Sequence, residues 1–242
     1  MEQPPDFVNQ EKYGHVCLLH KAIYGLKQAP RVWFDRFGSF LLEFGFFFRT
    51  VDPSLFIKHS AHGTLVLLLY VDDIILTGSS DQLIDLFIAV LHTKFAMKGL
   101  GALHYFLGIE VTSVLDGLVL HQSKYAIDLL DRALMRDCKP IHNPMTQKFK
   151  TVTDSIALCD AHTYRSLVGA LQYLTLTRPD ISFSVNYVSQ FMHAPTQDHF
   201  TMVRRILRYI KGTVHHGLHI QHSSTLDLYA FSDADWAGYP QI

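Results

Sequence analysis

The chain has 242 residues, 21 Lys and Arg against 22 Asp and Glu for a net charge of −1, with 48% hydrophobic and 18% charged residues. That length allows one large or two small domains around a buried core, and the composition excludes an intrinsically disordered chain. The charge balance excludes a global attraction to nucleic acid, so any basic groove must be local, and the longest apolar run, Leu65 to Val71, is too short to span a bilayer.

The first fifteen residues are polar, carry Pro4 and Pro5, and read as an arm; they lack the basic start and apolar stretch of a secretory signal. Three cysteines, widely spaced and without a C-x-x-C pattern, read as thiols of a reduced, intracellular protein. Val16 to Leu19 is a short strand candidate. Tyr24-Gly25-Leu26-Lys27-Gln28-Ala29-Pro30 reads as a turn entering a helix, because proline's missing N–H is not needed in the first helical turn. Trp33, Phe37, Phe40, Leu41 and Phe44 then recur at helical spacing, and Gly45 closes the element.

Two apolar runs, Thr64 to Tyr70 and Ile74 to Thr77, enclose Val71-Asp72-Asp73 between Gly63 and Gly78, which predicts a buried hairpin with two acids at its tip. Ser79 with Gln82 predicts a capping box opening a helix through Leu83, Leu86, Phe87, Val90 and Leu91. Tyr105 to Val111 and Leu118 to His121 flank Asp116-Gly117, a hairpin signal. Helices are expected over Ser123 to Arg136, Tyr164 to Thr177 and Ile181 to Met192, and after Pro195 along Val203, Ile206, Leu207 and Ile210. Residues 139–160, polar and containing Pro140 and Pro144, are the linker candidate. Leu226 to Phe231 is strand-like. Histidines at 215, 216, 219 and 222 sit among Gly212 and Gly217 with no cysteine, so they read as loop and strand residues rather than a zinc site.

Adjacent aspartates on an apolar hairpin repel each other, and a divalent cation is their natural partner. Magnesium so held can clamp phosphates and stabilise in-line displacement by a hydroxyl. Alone, an Asp-Asp pair is more often a solvated turn.

The wider text supplies the context. Tyr70-Val71-Asp72-Asp73 resembles the active-site hairpin of reverse transcriptases, and Tyr24 to Trp33 resembles the second polymerase motif of copia-type LTR retrotransposons. Asp52-Pro53-Ser54-Leu55-Phe56, His104 to Glu110, Thr177-Arg178-Pro179-Asp180-Ile181 and Ser232 to Gly238 follow in the family's order. The chain is therefore identified as similar to the reverse transcriptase region of a copia-type Pol polyprotein over nearly its whole length.

The resemblance implies an α+β fold. It comprises a partial palm, with an antiparallel sheet and helices on one face, a helical thumb and connection, and the first strand of a ribonuclease H-like fold. The domains expected are 1–122, 123–222 with the linker near 139–160, and 223–242. It also implies that Asp72 is the principal metal ligand and catalytic acid, with Asp73 supporting it. Tyr70 would pack near the primer end, and Gln28, with Lys27 and Arg31 beside it, would lie along template and incoming nucleotide. Leu107-Gly108 would grip the primer, and Asp233 would be the first metal ligand of the ribonuclease H part. Magnesium or manganese is the implied cofactor; RNA or DNA template–primer and dNTPs are the implied partners, with no membrane. Virus-like particles in the cytoplasm are the implied location.

The family's third carboxylate lies on a strand just before the segment with which this chain begins. The chain is thus expected to lack it, along with most of the fingers. Glu2 and Asp6 lie on the arm and are not expected to replace it. Leu18 and His20 stand where basic residues are common, and Asp233 is expected to lack its later partners. The expectation is a fragment of an RNA-directed DNA polymerase, inactive by itself and weak in metal binding. The alternatives are a non-catalytic nucleic-acid-binding remnant, or a degenerate element fragment without selected function. Arg204, Arg208 and Lys211, with Arg205, could follow phosphates as readily as form a solvated helix face, and Lys27, Arg31 and Arg36 form a second basic group.

Overall fold

A computed structural model describes residues 2–21, 23, 25–146, 160–222, 230 and 232. The described chain divides into two compact units, Met1–Gly101 and Ala102–Ile242.

In the first unit, helix α1 (Ala29–Glu43) starts with proline in its first turn and ends at Phe44, after which Gly45 takes φ +92. Strands β1 (Phe47–Arg49), β2 (Asp52–Ser60), β3 (Gly63–Tyr70) and β4 (Asp73–Gly78) follow, then helix α2 (Asp81–Lys94). The strands form one antiparallel sheet in the order β1-β2-β3-β4. Alternation along β3 buries Leu65, Leu67 and Leu69 against Phe37 and Leu41 of α1 and Phe87 and Leu91 of α2. Both helices thus pack on one sheet face, as the sequence led us to expect. On the other face Val66 and Leu68 remain partly exposed, so the hairpin is buried on one side rather than wholly.

The second unit begins with β5 (Tyr105–Phe106), β6 (Ile109–Val114) and β7 (Gly117–His121). Helices α3 (Ser123–Arg132), α4 (Ala161–Leu174), α5 (Ser182–Ser189) and α6 (Gln197–Gly212) follow, and β8 (Gly217–Gln221) closes it. The strands form a second antiparallel sheet, β5-β6-β7-β8. The helical core is largely aliphatic, with Leu129, Leu171, Leu174, Ile181, Val188 and Leu207 among its buried members. Because β8 pairs with β7, from Gly117↔Gln221 to His121↔Gly217, the small sheet belongs with the helices. The compact units divide between Gly101 and Ala102.

Several local expectations change. Val16 to Leu19 is not a strand: Val16 and Leu18 are exposed, and four apolar residues without a neighbouring strand leave their backbone groups to water. Ser79 does not cap α2. Its hydroxyl accepts from Thr64 N–H (3.0 Å) at the end of the β3–β4 pair, while Ser80 caps by accepting from Leu83 N–H (3.3 Å). Leu86 faces solvent. The run Tyr105 to Val111 is broken into β5 and β6 by Leu107-Gly108. The capping box of α6 uses His199, whose Nδ1 accepts from Thr196 N–H at 3.0 Å. Most of the strand expected at 226–231 and most of the linker lie outside the described residues. Among those described, no helix is long and apolar enough to cross a membrane.

Candidate active site

Strands β3 and β4 pair from Leu65↔Gly78 to Tyr70↔Asp73, which leaves Val71 and Asp72 as a two-residue loop. Such loops need a positive φ and usually take glycine or asparagine there. Here Val71 sits at φ +52, a region unfavourable for a β-branched residue. Its carbonyl accepts a hydrogen bond from the Trp33 indole N–H at 2.5 Å. The indole is itself stacked on Phe37 (centroids 5.2 Å apart) and met edge-on by Phe95 (5.6 Å). Helix α1, which carries the turn-entry motif, is thereby brought against the acid tip.

Asp72 occupies the loop and Asp73 opens β4; both are exposed. Neither carboxylate forms a hydrogen bond or ion pair with a described residue. Their oxygens are hard donors of the kind Mg2+ or Mn2+ takes. Magnesium characteristically uses one or two protein carboxylates and completes its octahedron with water and substrate phosphates. Among the described residues no group of three or more His, Cys, Asp and Glu could hold a metal. The donor chemistry of the two carboxylates fits such an ion, in place of a closed cage.

The remaining predicted residues fall as follows. Gln28 stands at the N-cap position of α1, yet with helical φ and ψ (−83, −18) its side chain caps nothing and lies exposed. Lys27 is exposed, and Arg31 faces Asp35 at 4.0 Å across one exposed helical turn, a weak pair. Tyr70 is exposed beside the loop. Leu107 and Gly108 belong to the second unit, where they form the two-residue loop between β5 and β6 with φ +47 and +82. The Tyr173 hydroxyl of α4 donates to the Leu107 carbonyl. Asp233 lies outside the described residues.

Two further motifs take part in the packing of the second unit. Arg178 is buried, its guanidinium forked onto Asp180 (2.9 and 2.7 Å) and donating to the Thr213 carbonyl (2.8 Å) beyond α6. Burial pushes the Asp180 carboxyl up, but hydrogen bonds from Arg178 and Tyr209 outweigh it and hold the group below its ordinary value. On α6, Arg208 Nε donates to the Lys139 carbonyl (2.7 Å) and Arg204 lies over the Phe200 ring (4.8 Å), so both are partly committed to the fold. The aromatic donors Trp33 and Tyr173 were not singled out by sequence reasoning, since spacing marks Trp33 only as part of an apolar stripe.

A family model described as reverse transcriptase (RNA-dependent DNA polymerase) matches residues 1–147. The chain belongs to this reverse transcriptase family. Among curated proteins, it is 46% identical over 239 residues to the retrovirus-related Pol polyprotein from transposon RE2 of Arabidopsis thaliana, covering 98% of this chain and 16% of that protein. It is 36% identical over 249 residues to the corresponding polyprotein from transposon TNT 1-94 of Nicotiana tabacum, covering 98% and 19%. It is also 52% identical over 174 residues to an uncharacterized mitochondrial protein of Arabidopsis thaliana, 72% of each chain. The chain is thus a Pol-type region of copia-type transposons and spans about a sixth of the RE2 polyprotein's length. No solved structure matches it.

Proposed function

We propose that this chain is the palm-bearing part of an RNA-directed DNA polymerase, with the hairpin tip as its nucleotidyl-transfer site. The observation that carries this reading is the pair of exposed, uncommitted acids at the hairpin tip, Asp72 in the two-residue loop and Asp73 opening β4, beside Val71 in a sparsely populated backbone conformation, a kind of strain that clusters at functional sites. Asp72 would be the principal ligand for Mg2+ or Mn2+, and Asp73 the supporting one. A divalent ion bound there neutralises phosphate charge and favours in-line attack by a primer hydroxyl on a dNTP. Tyr70 would pack against the primer end. Gln28, free of any capping role, would lie with Lys27 and Arg31 along the template and incoming nucleotide. The Leu107-Gly108 turn would hold the primer, the helices of the second unit would act as thumb and connection, and Asp233 would begin the ribonuclease H part. The location proposed is a cytoplasmic virus-like particle.

Two carboxylates leave a two-metal clamp short of negative charge where the transition state needs its ions fixed. The 242 residues alone are therefore expected to extend a primer poorly. Primer extension with the purified chain and its Asp72→Asn variant is the test: extension near background for both supports the inactivity. Metal-dependent extension abolished by the substitution would overturn the inactivity while keeping Asp72 as the ligand.

A second reading rests on Lys27, Gln28 and Arg31, all exposed at the start of α1. A non-catalytic nucleic-acid-binding remnant would bind primer–template duplex with strong salt dependence, and binding would survive Asp72→Asn. A degenerate fragment without selected function would show neither activity.

A further inference from the structure

The aromatic stripe of α1 contains one residue that differs chemically from the others. Phe37, Phe40 and Phe44 present rings without a donor, whereas Trp33 presents an N–H, and that N–H ends on the Val71 carbonyl at 2.5 Å. This carbonyl belongs to the peptide joining Val71 to Asp72, the central peptide of the two-residue loop. Rotation of that peptide is the soft motion of any tight turn, because it exchanges one turn type for another with little movement of the flanking strands. That rotation changes ψ of Val71 and φ of Asp72 but leaves the φ of Val71 at +52, so it does not relieve the strain there and the peptide keeps one orientation only if something fixes it.

We propose that Trp33 is a positioning residue that locks the central peptide of the acid tip and thereby sets the direction in which the Asp72 and Asp73 carboxylates leave the turn. The inference rests on reading those acids as ion ligands. The donor is itself rigid. Phe37 stacks on the indole and Phe95, just beyond α2, meets it edge-on, so α1 and the end of α2 together aim one N–H at one carbonyl. Fixing the oxygen of Val71 fixes the peptide plane, the orientation of the Asp72 N–H and hence the φ available to Asp72. A ligand pair held in one orientation does not lose affinity to conformational averaging. Trp33 does not touch the ion; it acts through the backbone that bears the ligands.

The test uses the whole chain with Trp33 replaced by 3-benzothienylalanine, which keeps the ring shape but has sulfur in place of the N–H, alongside Trp33→Phe, a 5-fluorotryptophan form that keeps the donor, and Asp72→Asn. Mn2+ is titrated while paramagnetic broadening of the backbone amide signals of residues 71–74 is followed, and thermal unfolding is recorded in parallel. Loss of the donor is expected to weaken Mn2+ binding roughly three- to tenfold, the effect of one net hydrogen bond. The amide shifts of Val71 and Asp72 should move, while the unfolding midpoint of the benzothienyl form stays near wild type. The fluorotryptophan form should bind as wild type. Wild-type Mn2+ affinity and unmoved turn amides in both donor-free forms, with Asp72→Asn losing the ion, would overturn the positioning role alone. Mn2+ affinity unchanged in Asp72→Asn would overturn the ligand reading instead. In that case the Val71 and Asp72 amide shifts still decide whether Trp33 locks the turn: moved shifts support it and unmoved shifts end it.

Discussion

The two units each contain a two-residue hairpin loop built on the same plan, and the difference lies in the second residue. In both, the first loop residue is bulky and carries a positive φ, Val71 at +52 and Leu107 at +47, and in both its carbonyl accepts from an aromatic donor on a helix. After Leu107 comes Gly108, at φ +82 with the Tyr173 hydroxyl against it, so a side chain there would meet the oxygen at 2.9 Å. After Val71 comes Asp72, exposed, with its carboxylate uncommitted. One turn is closed by a helix leaning on it; the other is open on the side where its side chain leaves. A positive φ at the first loop residue, with its carbonyl held by an aromatic donor, thus serves a packed corner in one unit and an acid tip in the other.

The comparison can be broken most severely through α4, which supplies Tyr173 and is followed closely by the buried Arg178. Arg178→Leu should cost the second unit about 2–3 kcal/mol, because it removes charge-assisted hydrogen bonds to the Asp180 carboxylate and leaves the Thr213 carbonyl without this donor. Amide exchange should accelerate around Leu107 and not around Val71; equal protection at both turns would contradict this account. Substitution at the second loop residue sharpens the contrast. Gly108→Ala is expected to destabilise by about 2 kcal/mol, through the left-handed backbone and the contact with Tyr173. Asp72→Ala should stay within about 0.5 kcal/mol, as surface changes do. Denaturant midpoints of the two variants measure the difference directly.

A smaller effect is expected from Tyr173→Phe, which removes the donor to Leu107 at about 1 kcal/mol and keeps the edge-on ring contact with Tyr125. Chemical denaturation read at the second unit checks it. The smallest is a pH effect confined to that unit. Burial pushes the His199 imidazole below its ordinary value, with the Asp198 charge opposing, and the neutral ring is the one that accepts from Thr196 N–H. The unfolded chain therefore binds the proton more readily. The stabilisation is complete above the ordinary imidazole value of 6.5 and is lost as pH falls through the lower folded value. His199→Gln, which retains a capping side chain, should flatten the fall in midpoint between about pH 7.5 and pH 5. An unchanged slope would remove His199 as its source.

Much of the site was legible where chemistry and punctuation coincide. Gly63 and Gly78 bracket the β3–β4 hairpin, and the apolar runs around Val71-Asp72-Asp73 leave the acids no place but its tip. The helix at Pro30 and the stripe from Trp33 to Phe44 were equally plain. Strands β1 and β2 were not read, because Pro53 and Lys58 interrupt any clean alternation. Strand β8 was missed for another reason: five residues, Gly217–Gln221, become a strand only because β7 lies alongside, a hundred positions earlier in the chain. Ser79 and Ser80 are indistinguishable as caps until Thr64 claims the first hydroxyl.

By itself, the order of residues determined the acidic pair and its place on a hairpin, since these follow from residue type and spacing within a dozen positions, and its motifs along nearly the whole chain carried the resemblance to the family. Only the tertiary structure decided that Trp33 and Tyr173 each end on the carbonyl of a strained turn, and that Arg178 closes α4 onto the segment after α6. The physical reason is range. Periodicity tells which face of a helix turns inward, but the carbonyl that a ring's edge or a guanidinium finally meets belongs to a turn or helix end 38, 66 or 35 positions away. Packing alone brings such partners together.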